Sequence, residues 1–161
     1  MLEIEKMKRE GNTEGLIELL LKGDVYRKMH AADALGSMGA DAVPALIKSL
    51  ENVDPNIRWS VAIALGRIGD PALESLIETL GSDNSHAKPP ATWALAEIGD
   101  VRAVDPLIRV LEDDTSECCQ VMAAAALLKI HNPKGVTKAQ EICAKKGNDF
   151  AGYVREAYFG S

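Results

Sequence analysis

Three histidines and three cysteines carry most of the chemistry open to this 161-residue chain. His30, His86 and His131 are far apart in sequence, and Cys118, Cys119 and Cys143 have no CxxC spacing. A zinc or iron centre needs several imidazole, thiolate or carboxylate ligands that converge. No such spacing is written here, so neither a metal nor a cofactor is expected, and no catalytic residue is assigned. Cys118 and Cys119 open a helical run, where the helix dipole lowers a thiol pKa. Two readings follow: a reactive thiol, or one exposed and one half-buried inert thiol. The glycines are spaced by a repeat rather than clustered as in GxxxxGK, which excludes a phosphate-binding loop of that kind. Lys28, Arg58 and Lys88 recur at one position, with Gln120 in the fourth place. They form either a basic ladder for an acidic ligand or a set of ties between repeats, with Asp70 and Asp100 as partners.

The bulk composition narrows the field. Hydrophobic residues make up 47% and charged residues 26%, which suits an ordinary folded chain. Only 4% is aromatic, and alanine and leucine are abundant, which favours packed helices over sheets. With 24 acidic against 18 basic residues the net charge is −6, so no nucleic-acid partner is expected. Met1 to Glu10 mixes charges and lacks the pattern of a signal peptide. The longest apolar run, Val121 to Leu128, is far too short to span a bilayer. An odd cysteine count argues against a disulfide framework. The expected location is the reducing cytoplasm, with no membrane partner.

The elements that hold these residues follow from a repeat. "ALGSMGA" at 34, "ALGRIGD" at 64 and "ALAEIGD" at 94 are spaced 30 apart. In phase with them run "LIELL" at 16, "LIKSL" at 46, "LIETL" at 76 and "LIRVL" at 107. Self-similarity at this period is the mark of a stacked solenoid. In one unit, Asp54-Pro55 reads as an N-cap with proline at the first helical position. Ile57, Val61, Ala64, Leu65 and Ile68 then form a buried stripe at helical spacing. Gly39, Gly69 and Gly99 suit the left-handed position that ends a helix. Asp70-Pro71 repeats the cap signal before Leu73, Leu76, Ile77 and Leu80. Gly36, Gly66 and Ala96 are small where the mate of each helix must come close. In the last unit Asn132 stands in for the turn glycine, and Ala139 and Cys143 replace the leucines found at 107 and 111.

The expected fold is an all-α solenoid of about five stacked antiparallel helix pairs in a single domain over 1–161. Residues 1–23 form a leading pair; 24–53, 54–83 and 84–115 are regular repeats; 116–146 is a degenerate last repeat. Residues 148–159 form a C-terminal capping helix.

"NIRWSVAIALGRIGDPALESLIETL" and "DAVPALIKSL" resemble the HEAT-like repeats of the phycobilisome-lyase type over roughly residues 12 to 146. The resemblance implies a scaffold built for protein–protein interaction. It also permits an accessory subunit of a bilin-lyase-like or other cofactor-maturation enzyme. The di-iron deoxyhypusine hydroxylases are similar in architecture and place His-Glu dyads near helix starts. The matching positions here are Met29-His30, Trp59-Ser60, Pro89-Pro90 and Val121-Met122, so the iron ligands that family would imply are missing.

The informative residues are those that depart from the repeat. In the resembled pattern two outward slots, four residues apart, are usually charged. Here they hold Met29 and Asp33, Trp59 and Ile63, Pro89 and Trp93, Val121 and Ala125. Residues four apart share a helix face, so the expected protein-binding stripe is Trp59, Ile63, Pro89, Trp93 and Val121. Tryptophan is enriched where interfaces form; the competing arrangement folds Trp59 and Trp93 back over the groove between repeats. The partner is another protein or a second copy. Pro89-Pro90 delays the third unit's first helix until after "GSDNSHAK" and pushes Lys88 towards an extended conformation. The resulting gap is a binding notch or simply a long loop. In the tail, Phe150, Tyr153, Val154, Ala157 and Tyr158 follow helical spacing, with Asn148 or Asp149 as cap. That helix either covers the end of the array or docks into a partner.

Overall fold

Caps written in the sequence fix several helix starts. In the computed structural model, which describes residues 2–52 and 54–160, the helices are α1 (Leu2–Arg9), α2 (Thr13–Lys22), α3 (Val25–Met38), α4 (Val43–Ser49), α5 (Pro55–Ile68), α6 (Leu73–Leu80), α7 (Lys88–Ile98), α8 (Val104–Asp113), α9 (Glu117–Ile130), α10 (Pro133–Lys146) and α11 (Asn148–Phe159). No strand occurs among the described residues, and the fold is an all-α solenoid. Asn12, Asp24 and Asp54 accept first-turn N–H groups of α2, α3 and α5, each at 2.9 Å. These bonds satisfy donors that a helix start leaves unpaired. Among the described residues no helix is long and apolar enough to cross a membrane.

Helix ends follow the glycines. Gly39, Gly69 and Gly99 have φ of 69°, 77° and 72°, a region that costs a side chain about 1–2 kcal/mol. A short 3₁₀ turn follows each, so α6 begins at Leu73 and Pro71 lies in the turn before it. In the last unit His131, not Asn132, takes the left-handed position, with φ 57°. Asn132 instead caps α10 through the N–H groups of Lys134 and Gly135. Gly147, rather than Asn148 or Asp149, precedes α11, and no side chain caps that helix.

The helices form two rows. The inner row is α3, α5, α7, α9 and α11, each packed on the next; the outer row is α2, α4, α6, α8 and α10. The marker residues Leu35, Leu65, Leu95 and Leu127 are fully buried between the rows, as are Leu16, Leu46, Leu76 and Leu107. Each such side chain contributes about 1.5–3 kcal/mol over an exposed one. The small residues work between repeats rather than within one. A Cβ on Gly36 would lie 3.0 Å from the Cβ of Arg67, and one on Gly66 3.3 Å from that of Glu97. Helix α5 therefore closes on α3, and α7 on α5. Outer-row neighbours touch less than inner-row neighbours do.

Pairing is also shifted by one helix from the sequence-based frame. Of the outer-row helices, α3 packs most extensively on α2, α5 on α4 and α7 on α6, and α11 joins α10 while covering α9. The polar loops thus join the closest partners, and α1 stands before the first pair. In the third unit α7 starts late, but at Lys88, which is helical rather than extended. Pro89 and Pro90 fall in the first turn, where a helix has no use for their missing N–H groups.

Candidate protein-binding surface

On the inner row the outward slots of α5 and α7 come together. Trp59 and Ile63 are each 38% exposed, and Met29 on α3 is 50% exposed. Trp93 is half-buried. Its ring meets Trp59 edge to face, with centroids 6.4 Å apart and planes at 87°. One edge of the Trp93 ring lies 3.7 Å from where Gly66 would carry a Cβ, so it covers the groove between α5 and α7. The two tryptophans therefore divide the roles foreseen for them: Trp59 offers a face to solvent, and Trp93 braces it. Pro89 is half-buried.

Val121 does not extend the surface. It is only 9% exposed and Ala125 only 6%, because α9 is flanked by α7, α8, α10 and α11. The run Ala123–Ala126 leaves room for α11, whose Ala157 and Tyr158 meet Ala125 and Trp93 in a narrow crevice. The outward slot of the fourth unit is thus a contact within the array. Phe150 and Val154 of α11 are buried, while Tyr153 remains 53% exposed.

The charges flanking the apolar stripe are already spoken for. Arg67 on α5 pairs with Asp33 on α3 at 2.7 Å and donates to the Met29 carbonyl at 3.4 Å. Lys129 on α9 pairs with Glu97 on α7. Each exposed pair is worth at most about 1 kcal/mol. Both pairs join neighbouring helices of the inner row. The alternation Arg67, Glu97, Lys129 at one repeat position was a legible sign of ties between repeats.

The expected Lys28, Arg58, Lys88 and Gln120 ladder has other partners than Asp70 and Asp100. Arg58 donates to the Asn52 carbonyl at 2.6 Å, and Gln120 to that of Asp114 at 2.8 Å. Lys88 reaches Asp114, just past the end of α8, at 2.8 Å, with side chains only 17% and 8% exposed. Burial pushes the Asp114 carboxyl up, but the Lys88 ammonium and the Ser116 N–H outweigh it and hold it below its usual value. Asp70 and Asp100 instead share Arg102, whose side-chain and backbone hydrogen bonds hold the Asp100 carboxyl at about 2. The notch beside Lys88 measures about 290 Å³ and lies between α6 and α8.

The thiols do not form a site. Cys118 is exposed, Cys119 is buried and Cys143 is half-buried. Burial pushes the Cys119 thiol up despite its place in the first turn of α9, and raises Cys143 likewise. Among the described residues no three His, Cys, Asp or Glu side chains gather where they could hold a metal ion.

Comparison with known families agrees with this geometry. The model for HEAT repeats matches residues 13–88, and that for the PBS lyase HEAT-like repeat matches 91–113. Residues 13–113 are HEAT-like repeats. No curated protein matches the chain. Among solved structures, a designed armadillo repeat protein in complex with the peptide (KR)4 is 20% identical, with a TM-score of 0.47, over 96% of this chain and 85% of that one. An engineered protein is 26% identical, with a TM-score of 0.43, over 81% of this chain and 69% of its own. The HEAT-like matches span α2 to α8, and so include the helices that carry Met29, Trp59, Ile63 and Trp93.

Proposed function

We propose that this HEAT-like array is a non-enzymatic scaffold that binds another protein through the inner-row surface of Met29, Trp59, Ile63 and Trp93. The observation that carries the reading is Trp59: a large aromatic side chain, braced edge to face by Trp93 and held partly in water. Such a residue gains most when a partner covers it, and tryptophan anchors often contribute about 2 kcal/mol or more. Pro89 extends the surface at one edge; Val121 adds nothing to it. A reducing compartment suits the reading, since all three cysteines are free thiols.

The test is affinity capture from the native cell with wild type and with Trp59→Ala/Ile63→Ala. Both residues are more than a third exposed, so the double variant should melt within a few degrees of wild type. A protein retained by wild type and lost by the variant supports the reading. Equal capture by both would end it.

A further inference from the structure

Trp93 is fixed at one edge and open at the other. Its ring carbon Cζ3 faces Gly66 in the groove between α5 and α7. The indole nitrogen lies on the opposite side of the ring from that carbon, so Nε1 is directed away from Gly66. Among the described residues the one buried polar side-chain atom without a partner is Thr92 Oγ1, so Trp93 Nε1, which donates to no described residue, reaches solvent. Trp59 Nε1 and the Tyr26 hydroxyl likewise donate to no described residue, and both side chains are exposed. Tyr26 stands one turn before Met29 on α3, so the two share a face. The inner-row surface thus offers hydrogen-bond donors as well as apolar area, from Tyr26 and Met29 on α3 through Trp59 and Ile63 on α5 to Trp93 on α7.

We propose that the partner segment held on this surface is a proline-rich stretch in the polyproline II conformation, laid across α3, α5 and α7; the inference rests on the binding surface proposed above. Hydrogen bonding selects this occupant. Polyproline II makes no internal hydrogen bonds, so its carbonyl oxygens are free to accept from the two indole N–H groups. An α-helix spends all but its last four carbonyls internally. Its apolar face would cover both donors and leave them unmade, which is costly. Pitch selects it again. Gly36 and Gly66 let α3, α5 and α7 close on one another, and packed helices stand about 8–10 Å apart. Polyproline II returns the same face every three residues, about 9.3 Å, so successive helices meet equivalent prolines. A β-strand returns a face after about 6.4–6.8 Å and falls out of step. Proline also suits the walls, because its ring packs on aromatic side chains in grooves of this kind.

Intrinsic fluorescence tests this, because Trp59 and Trp93 are the only tryptophans of the chain and a proline peptide is silent at those wavelengths. Capped decaproline titrated into the full chain should give a saturable change in emission. A capped Gly-Ser decapeptide, a flexible coil, should give none. Trp59→Phe keeps a ring and removes one donor, and Met29→Ser trims the α3 end of the surface. Both side chains are more than a third exposed, and matching thermal melts verify that both variants fold. Each should bind decaproline at least fivefold more weakly. A wild type with no saturable response, or one that answers the Gly-Ser peptide equally, overturns the proposal. So does a Trp59→Phe chain that binds like wild type. If decaproline fails while affinity capture still retains a protein through Trp59 and Ile63, the binding surface stands and this occupant falls.

Discussion

Along the inner row, α3, α5 and α7 approach so closely that a Cβ on Gly36 would sit 3.0 Å from its neighbour, and the surface beyond is Met29, Trp59, Ile63 and Trp93. Along the outer row, α4, α6 and α8 stand further apart, and their exposed residues include Lys48, Glu74, Glu78, Asp105 and Arg109. The same thirty-residue repeat thus yields a tight row with an apolar face and a loose row with a solvated one. A tight row holds its side chains in fixed relative positions, which is what a binding surface needs; a loose row needs only charge to stay in water.

The largest effect should come from the nearly buried pair of Lys88 and Asp114. Lys88→Met leaves the Asp114 carboxylate covered and unpaired, and should cost roughly 3–5 kcal/mol. Lys134→Met, whose pair with Asp105 is about two-thirds exposed on both sides, should cost less than about 1 kcal/mol. Urea melts of the two variants make the comparison. The pH dependence follows from the same pair. Because Asp114 lies below its usual value of 3.8 in the fold, its contribution is complete above about pH 4 and is lost as pH falls through the folded value. Wild type should therefore lose stability in acid more steeply than Lys88→Met. Parallel acid profiles would remove Asp114 as the cause.

Next comes packing within the rows. Gly36→Leu forces α3 and α5 apart and should cost about 1–3 kcal/mol or more. Ala45→Leu, half-buried on the outer row, should change stability by less than about 1 kcal/mol. Equal costs would mean that the rows are packed alike. The smallest effect should be a gain. Thr92 is fully buried on α7 with its hydroxyl unpartnered, where the equivalent positions hold Ala32, Ala62 and Ala124. Thr92→Val keeps the shape and removes the hydroxyl, so it should stabilise by about 1 kcal/mol, seen as a higher Tm.

Periodicity made the solenoid legible. A leucine that recurs every thirty residues beside a glycine turn has few other physical readings, and Leu35, Leu65 and Leu95 are all fully buried. The two facing slots on α5 and α7 were legible for the same reason, since helix spacing places Trp59, Ile63 and Trp93. What a repeat cannot announce is which neighbour a helix prefers. Whether α5 packs on α4 or α6 depends on loop geometry, and Lys88 finds its partner 26 residues away in a loop. Val121 looked outward because its slot is outward in the other units; in α9, flanked by α7, α8, α10 and α11, it is buried. His131 and Asn132 exchanged roles because either residue tolerates the left-handed region, and only Asn132 has a side chain suited to cap α10.

Trp59 and Trp93 are the only tryptophans in the chain, so 5-fluorotryptophan labelling gives a ¹⁹F spectrum that reports the inner-row surface alone. Trp59→Phe assigns the two resonances. The protein captured by wild type is then titrated, unlabelled, into the labelled chain. The account predicts that the Trp59 resonance shifts or broadens on saturation and loses its accessibility to a soluble paramagnetic quencher, with a smaller response at Trp93. A saturated complex in which Trp59 keeps its free-state shift and accessibility would contradict it.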